Sequence, residues 1–112
     1  MSMNELLHRL LTDLKNLKLP VNEVYIFIRP FSKTYYGRYF PEYDGSDPKI
    51  YVYPYEENGE FMSYKKILET VVHEFCHHIQ YSSGHKRVKG VMHDSQFWKL
   101  YNYYISKISE VA

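Results

Sequence analysis

Cysteine is nearly missing from this sequence: Cys76 is the only one. A single thiol excludes an intramolecular disulfide, and a reducing, cytoplasmic setting is the expectation that follows. Long hydrophobic runs are missing too. The leucines between Met1 and Lys18 are interrupted by Glu5, His8, Arg9, Asp13 and Lys15. That pattern lacks the unbroken apolar core of a signal peptide, and no run approaches the roughly 18 apolar residues of a membrane span. An excess of one charge is also absent. The formal net charge is +1, so the overall balance points neither to nucleic acid nor to a membrane surface. No internal repeat, low-complexity segment or linker is visible.

What remains is the profile of an ordinary globular chain. Its 112 residues suit one domain, 45% hydrophobic and 24% charged, with enough length for one modest core. The 13 tyrosines fit sheet faces and half-wet surfaces. Leu6, Leu7, Leu10, Leu11, Leu14 and Leu17 recur at helical spacing, which predicts an amphipathic helix over 3–17 that stops before Pro20. Val24 to Ile28 reads as a buried strand ending before Pro30, and Tyr35, Tyr36, Tyr39 and Phe40 as a second strand weakened by Gly37. Asp44 to Pro48 has the composition of a turn. Ile50 to Tyr55 makes a third strand, which Pro54, lacking an N–H, assigns to the sheet edge. Ser63 can cap a long helix over 64–82, closed by Gly84. Asp94 or Ser95 can cap a last helix running to about residue 109. The expected fold is α+β: an N-terminal helix, a small, mostly antiparallel three-stranded sheet, and two further helices.

The second long helix contains His73-Glu74-Phe75-Cys76-His77, an HExxH motif. Residues four apart lie one turn from each other on the same helix face. Two imidazoles so placed can reach one ion at about 2.0–2.1 Å each. Glu74 lies about 100° further round. It is too far round to be an easy ligand but near enough to take a proton from water activated by that ion. Leu68, Val71, Val72, Phe75 and Ile79 form an apolar back roughly opposite the two histidines. The motif therefore predicts a helix buried on one side, with a metal site facing a cleft. His78 should point away from it, and Cys76 reads as a small buried residue. Histidine ligands on a helix favour one zinc ion per chain.

A catalytic zinc needs a third protein ligand and an open position. His85, His93, Asp94 and Glu110 are the downstream candidates. His93 is favoured because a loop-sized segment separates it from the motif and the last helix starts directly after it. The basic run His85, Lys86, Arg87 and Lys89 reads as a solvated loop, too small for an electrostatic footprint of nucleic-acid binding.

His73-Glu74-x-x-His77 followed by His93-Asp94-Ser95-Gln96-Phe97-Trp98 resembles the SprT-like and WLM metallopeptidases over about residues 67–104. The resemblance implies a zincin-like fold, His93 as the third zinc ligand, and Phe97 and Trp98 as aromatics packing the last helix. In its compactness the chain also resembles the minigluzincins, very short peptidases held latent by self-association. That family's third ligand is a glutamate, and Glu110, near the end of the sequence, is the only downstream one here.

The function expected from motif and resemblance is zinc-dependent peptide hydrolysis. His73, His77 and His93 would hold the metal, Glu74 would be the general base, and an extended peptide would lie along the strand at 50–55. Latency by self-association is expected with it. A zinc-dependent hydrolase acting on RNA and a non-catalytic zinc-binding module are the alternatives; an intact Glu74 argues against the second.

Overall fold

The computed structural model describes residues 2–41, 45–86 and 91–111, with side chains up to residue 108. Ser2 heads the first helix, α1 (Met3–Asn16), where its Oγ accepts from the Glu5 N–H at 3.1 Å. Leu6, Leu10, Leu14 and Leu17 are buried, while Leu11 stays 37% exposed. The stripe is thus narrower than the run of leucines suggests, because residues five apart drift off a helix face. Asp13 shares that buried side, its carboxylate accepting from the Tyr64 hydroxyl. The chain leaves α1 through Lys18 in a left-handed conformation (φ 65°). The Leu19 N–H reaches back to the Leu14 carbonyl and the Lys18 N–H to that of Lys15, so two orphan carbonyls are capped.

Three short strands follow: β1 (Tyr25–Ile28), β2 (Gly37–Phe40) and β3 (Lys49–Val52). Their spatial order is β1-β3-β2. β1 runs parallel to β3 and β2 antiparallel to it, so the sheet is mixed rather than mostly antiparallel. The strand at 49–52 is central, which corrects the edge position expected for 50–55. Pro54 had suggested an edge, but the strand ends at Val52, before the proline. The missing N–H therefore removes no ladder bond, and the Pro54 carbonyl still accepts from Met62. Ile50 and Val52 are fully buried, as suits β-branched residues flanked by strands on both sides.

The second helix, α2 (Tyr64–Ser82), starts at Ser63, whose Oγ accepts from the Lys66 N–H at 3.2 Å. It ends before Gly84 at φ 74°, a backbone conformation glycine adopts without strain. Its apolar side, Leu68, Val71, Val72 and Phe75, is completely buried in a core shared with the leucines of α1 and the inner face of the sheet. The third helix, α3 (Ser95–Val111), packs Phe97 and Ile108 into the same cluster. The architecture is α+β, with helices on one face of a small mixed sheet. Among the described residues no helix is long and apolar enough to cross a membrane. The expected turn residue Asp44, the loop residues Arg87 and Lys89, and the side chain of Glu110 lie outside the described residues.

Candidate metal centre

α2 carries His73 and His77 on successive turns, and the start of α3 turns His93 back towards them. The Nε2 atom of His93 stands 3.1 Å from that of His73 and 3.2 Å from that of His77. Three nitrogens each about 2.0–2.1 Å from one tetrahedral ion would lie about 3.3 Å apart, so the spacing fits a single zinc with little adjustment. Among the described residues this is the one set of three His, Cys, Asp or Glu side chains grouped closely enough for an ion. Burial, and secondarily the nearby His93, lowers the pKa of His73 to about 4. The ring is therefore neutral at physiological pH, the form that binds metal.

Phe97 is the floor of the cluster. Its ring centroid lies 4.9 Å from that of His73 and 4.7 Å from those of His77 and His93. Trp98, which the resemblance grouped with Phe97 as packing, is 44% exposed. It flanks His73 and His93 from the solvent side, with centroids 6.4 and 5.6 Å away.

Glu74 is buried, and burial raises its carboxyl from 4.5 to about 7. Beside it lies Gly37 of β2. A Cβ added at Gly37 would come 2.7 Å from Thr70 Cγ2 and 3.2 Å from Glu74 Cγ. The strand can lie this close to the turn of α2 that carries Glu74 only because the residue has no side chain. In the sequence Gly37 counted only as a weakness in a strand; a lone glycine within a strand pattern was the available signal for a close approach.

The neighbours of the three nitrogens divide cleanly. His78 points away from the cluster, as expected: its Nδ1 is 2.7 Å from the Tyr39 hydroxyl and its Nε2 2.9 Å from a Glu23 carboxylate oxygen. Asp94 caps α3 by accepting from the Phe97 N–H at 2.9 Å and also accepts from Gln80 Nε2. His85 Nε2 lies 2.6 Å from its other oxygen. The His85 hydrogen bond, with those from Phe97 and Gln80, holds the Asp94 carboxyl down at about 2. Of the alternative third ligands, Asp94 and His85 are thus occupied with each other, outside the nitrogen cluster. Buried Gln80 had no sequence signal, since a single glutamine on a helix is ordinarily exposed. Cys76 is buried as expected, and burial pushes its thiol up to about 12.

His73, Glu74, His77, Gln80, His85 and His93 border one cleft of about 920 Å³ between α2 and the 34–41 segment that contains β2, lined also by Tyr35, Tyr36, Arg38, Tyr81 and Tyr101. No protein-family model matches this chain, and no curated protein matches it either. Geometry and chemistry therefore carry the functional reading.

Proposed function

We propose that this chain is a zinc-dependent peptidase of the zincin type, with His73, His77 and His93 as metal ligands and Glu74 as general base. One observation carries the reading: three imidazole nitrogens converge at 3.1 and 3.2 Å in an open cleft, with a buried carboxyl one residue from the first. A structural zinc site closes its fourth position with a protein ligand, and this cluster offers three among the described residues.

Bound there, zinc supplies Lewis-acid polarisation of a carbonyl and of water. The chain supplies the proton handling. Glu74 takes a proton from the attacking water, holds it on its carboxyl and returns it to the leaving amine. In the metal-free chain burial brings this carboxyl to about 7, so its protonated form is accessible near neutral pH, as a group that both takes and returns a proton requires. The substrate lies on β2, not on the strand at 49–52. β2 is an edge strand and its residues line the cleft, so an extended peptide can add to it through main-chain hydrogen bonds. Phe97 keeps the ligand rings in place from below.

Elemental mass spectrometry of the purified chain should find about one zinc per molecule. An unfolded protein substrate should then be cleaved, and Glu74→Gln should lower the rate by roughly 10²–10⁴ while keeping the zinc. Absence of bound zinc after zinc addition would overturn the metal assignment. Undiminished cleavage by Glu74→Gln would overturn the general base.

A further inference from the structure

β2 meets α2 through two of its residues. Gly37 and Tyr39 alternate with Arg38 along the strand, so they share the face that looks onto the helix. Thr70, Glu74 and His78 recur one turn apart on α2 and form one stripe along it. Gly37 makes the first contact, where a Cβ would come 2.7 Å from Thr70 and 3.2 Å from Glu74. Tyr39 makes the second. Its hydroxyl oxygen is 2.7 Å from His78 Nδ1, and the two rings stand edge to face with centroids 5.5 Å apart. Glu74 lies between Thr70 and His78 on that stripe, while His73 and His77 occupy the stripe beside it.

His78 has no part in the metal cluster, yet it is only 3% exposed and both its ring nitrogens are engaged. Its Nε2 lies 2.9 Å from the carboxylate of Glu23, at the end of the 3₁₀ turn Val21–Glu23 that leads into β1. A carboxylate can only accept, so Nε2 carries the proton of the ring and Nδ1 is bare. The bare nitrogen accepts from the Tyr39 hydroxyl. Burial raises the Tyr39 phenol above its ordinary range, so it keeps the proton it donates. A leucine could fill the same space without needing polar partners. What the imidazole adds is a directional bond between helix and strand, which fixes one arrangement where apolar contact would allow sliding.

We propose that Tyr39 and His78 are positioning residues of the peptidase site: their hydrogen bond sets where β2 lies along α2, and so aligns a peptide added to β2 with the metal and Glu74. The inference rests on the peptidase reading and deepens it. β2 is four residues long and has only β3 as a neighbour in the sheet, so its place over α2 depends on side-chain contacts. Gly37 lets the strand come close but cannot stop it from sliding; the hydrogen bond does. Main-chain bonds from a peptide to β2 would move with the strand. A displaced strand would therefore still bind substrate but hold the scissile carbonyl away from the metal, a loss that falls on kcat and spares KM.

Steady-state cleavage of fluorescently labelled casein by the zinc-loaded full chain is the test. Tyr39→Phe keeps the ring and removes the hydroxyl. It should lower kcat about tenfold and leave KM within about threefold of the wild type, because a misplacement near 1 Å already costs up to about 100-fold. His78→Asn puts Oδ1 where Nδ1 stood, an acceptor at the same reach from Cβ, and should recover most of the rate; His78→Leu should not. Tyr39→Phe combined with His78→Leu removes both partners and orphans neither, so it keeps the fold even if a single variant does not, and thermal melts check this. That double variant should bind zinc like the wild type and stay slow. Full kcat in the double variant, a change confined to KM, equal losses in His78→Asn and His78→Leu, or a rate loss that follows lost zinc or lost folded protein would each overturn the proposal while the wild type goes on cleaving. No cleavage by the zinc-loaded wild type would instead overturn the peptidase reading, and this proposal with it.

Discussion

Burial at Glu74 connects stability to the proposed catalysis within one residue. Its carboxyl titrates at about 7 in the folded chain against 4.5 ordinarily, so the fold holds this proton more tightly than the unfolded chain does. The cost of burying the charged form is absent below about pH 4.5 and complete above about pH 7. In the metal-free chain, stability should therefore fall as pH rises through that window. Glu74→Gln has no such charge. Treated with a chelator, the variant should be more stable than the wild type at pH 8 by up to roughly 3 kcal/mol, at 1.36 kcal/mol per unit, and about equal to it near pH 4. Urea melts at the two pH values measure the difference. An equal offset at both would mean that packing, not charge, separates the two proteins. A carboxyl that destabilises the metal-free fold near neutral pH fits a functional site better than a structural one.

Two elements are placed by contacts that leave little slack. β2 lies against α2 through Gly37, and Gly37→Ala should cost about 1–3 kcal/mol as the strand is pushed off Thr70 and Glu74. Thr70→Ser removes the Cγ2 that meets the new methyl group at 2.7 Å and keeps the hydroxyl that donates to the Lys66 carbonyl. The double variant should recover part of the loss, and a double-mutant cycle by chemical denaturation reads that coupling. The start of α3 depends in the same way on Asp94, which ties it to Gln80 of α2 and to His85. Because His93 is the residue before it, Asp94→Ala should loosen the proposed third ligand. Zinc affinity should then fall by roughly tenfold or more, measured by competition with a chromogenic chelator. An unchanged affinity would show that Phe97 alone positions His93.

For the molecule as a whole, the metal should act as a brace between α2 and α3. A ligand that binds only the folded state stabilises it in proportion to the logarithm of its concentration over Kd, by about 4 kcal/mol at a thousandfold excess. Zinc should thus raise the melting temperature of the wild type strongly and that of His93→Ala much less. Identical shifts in the two proteins would remove His93 from the site. Much of this molecule was legible along the chain. The HExxH spacing places His73 and His77 on one face of any helix, and Ser63 and Gly84 bracket that helix at Tyr64–Ser82 as it stands. Local periodicity and capping are properties of consecutive residues, so sequence alone fixes them. The convergence of His93 on the other two nitrogens was only one option among several, because it depends on how α3 packs. Strand order was misjudged for the same reason: Pro54 speaks only for its own N–H, whereas the central place of β3 follows from Ile50 and Val52 filling the space beneath α2. The burial that lifts Glu74, the glycine gap at Gly37 and the hydrogen-bonded chain from Glu23 through His78 to Tyr39 arise between segments distant in sequence. The sequence by itself determined the helices and the residue types able to hold a metal. Only tertiary packing decided which of those residues meet, and how dry their surroundings are.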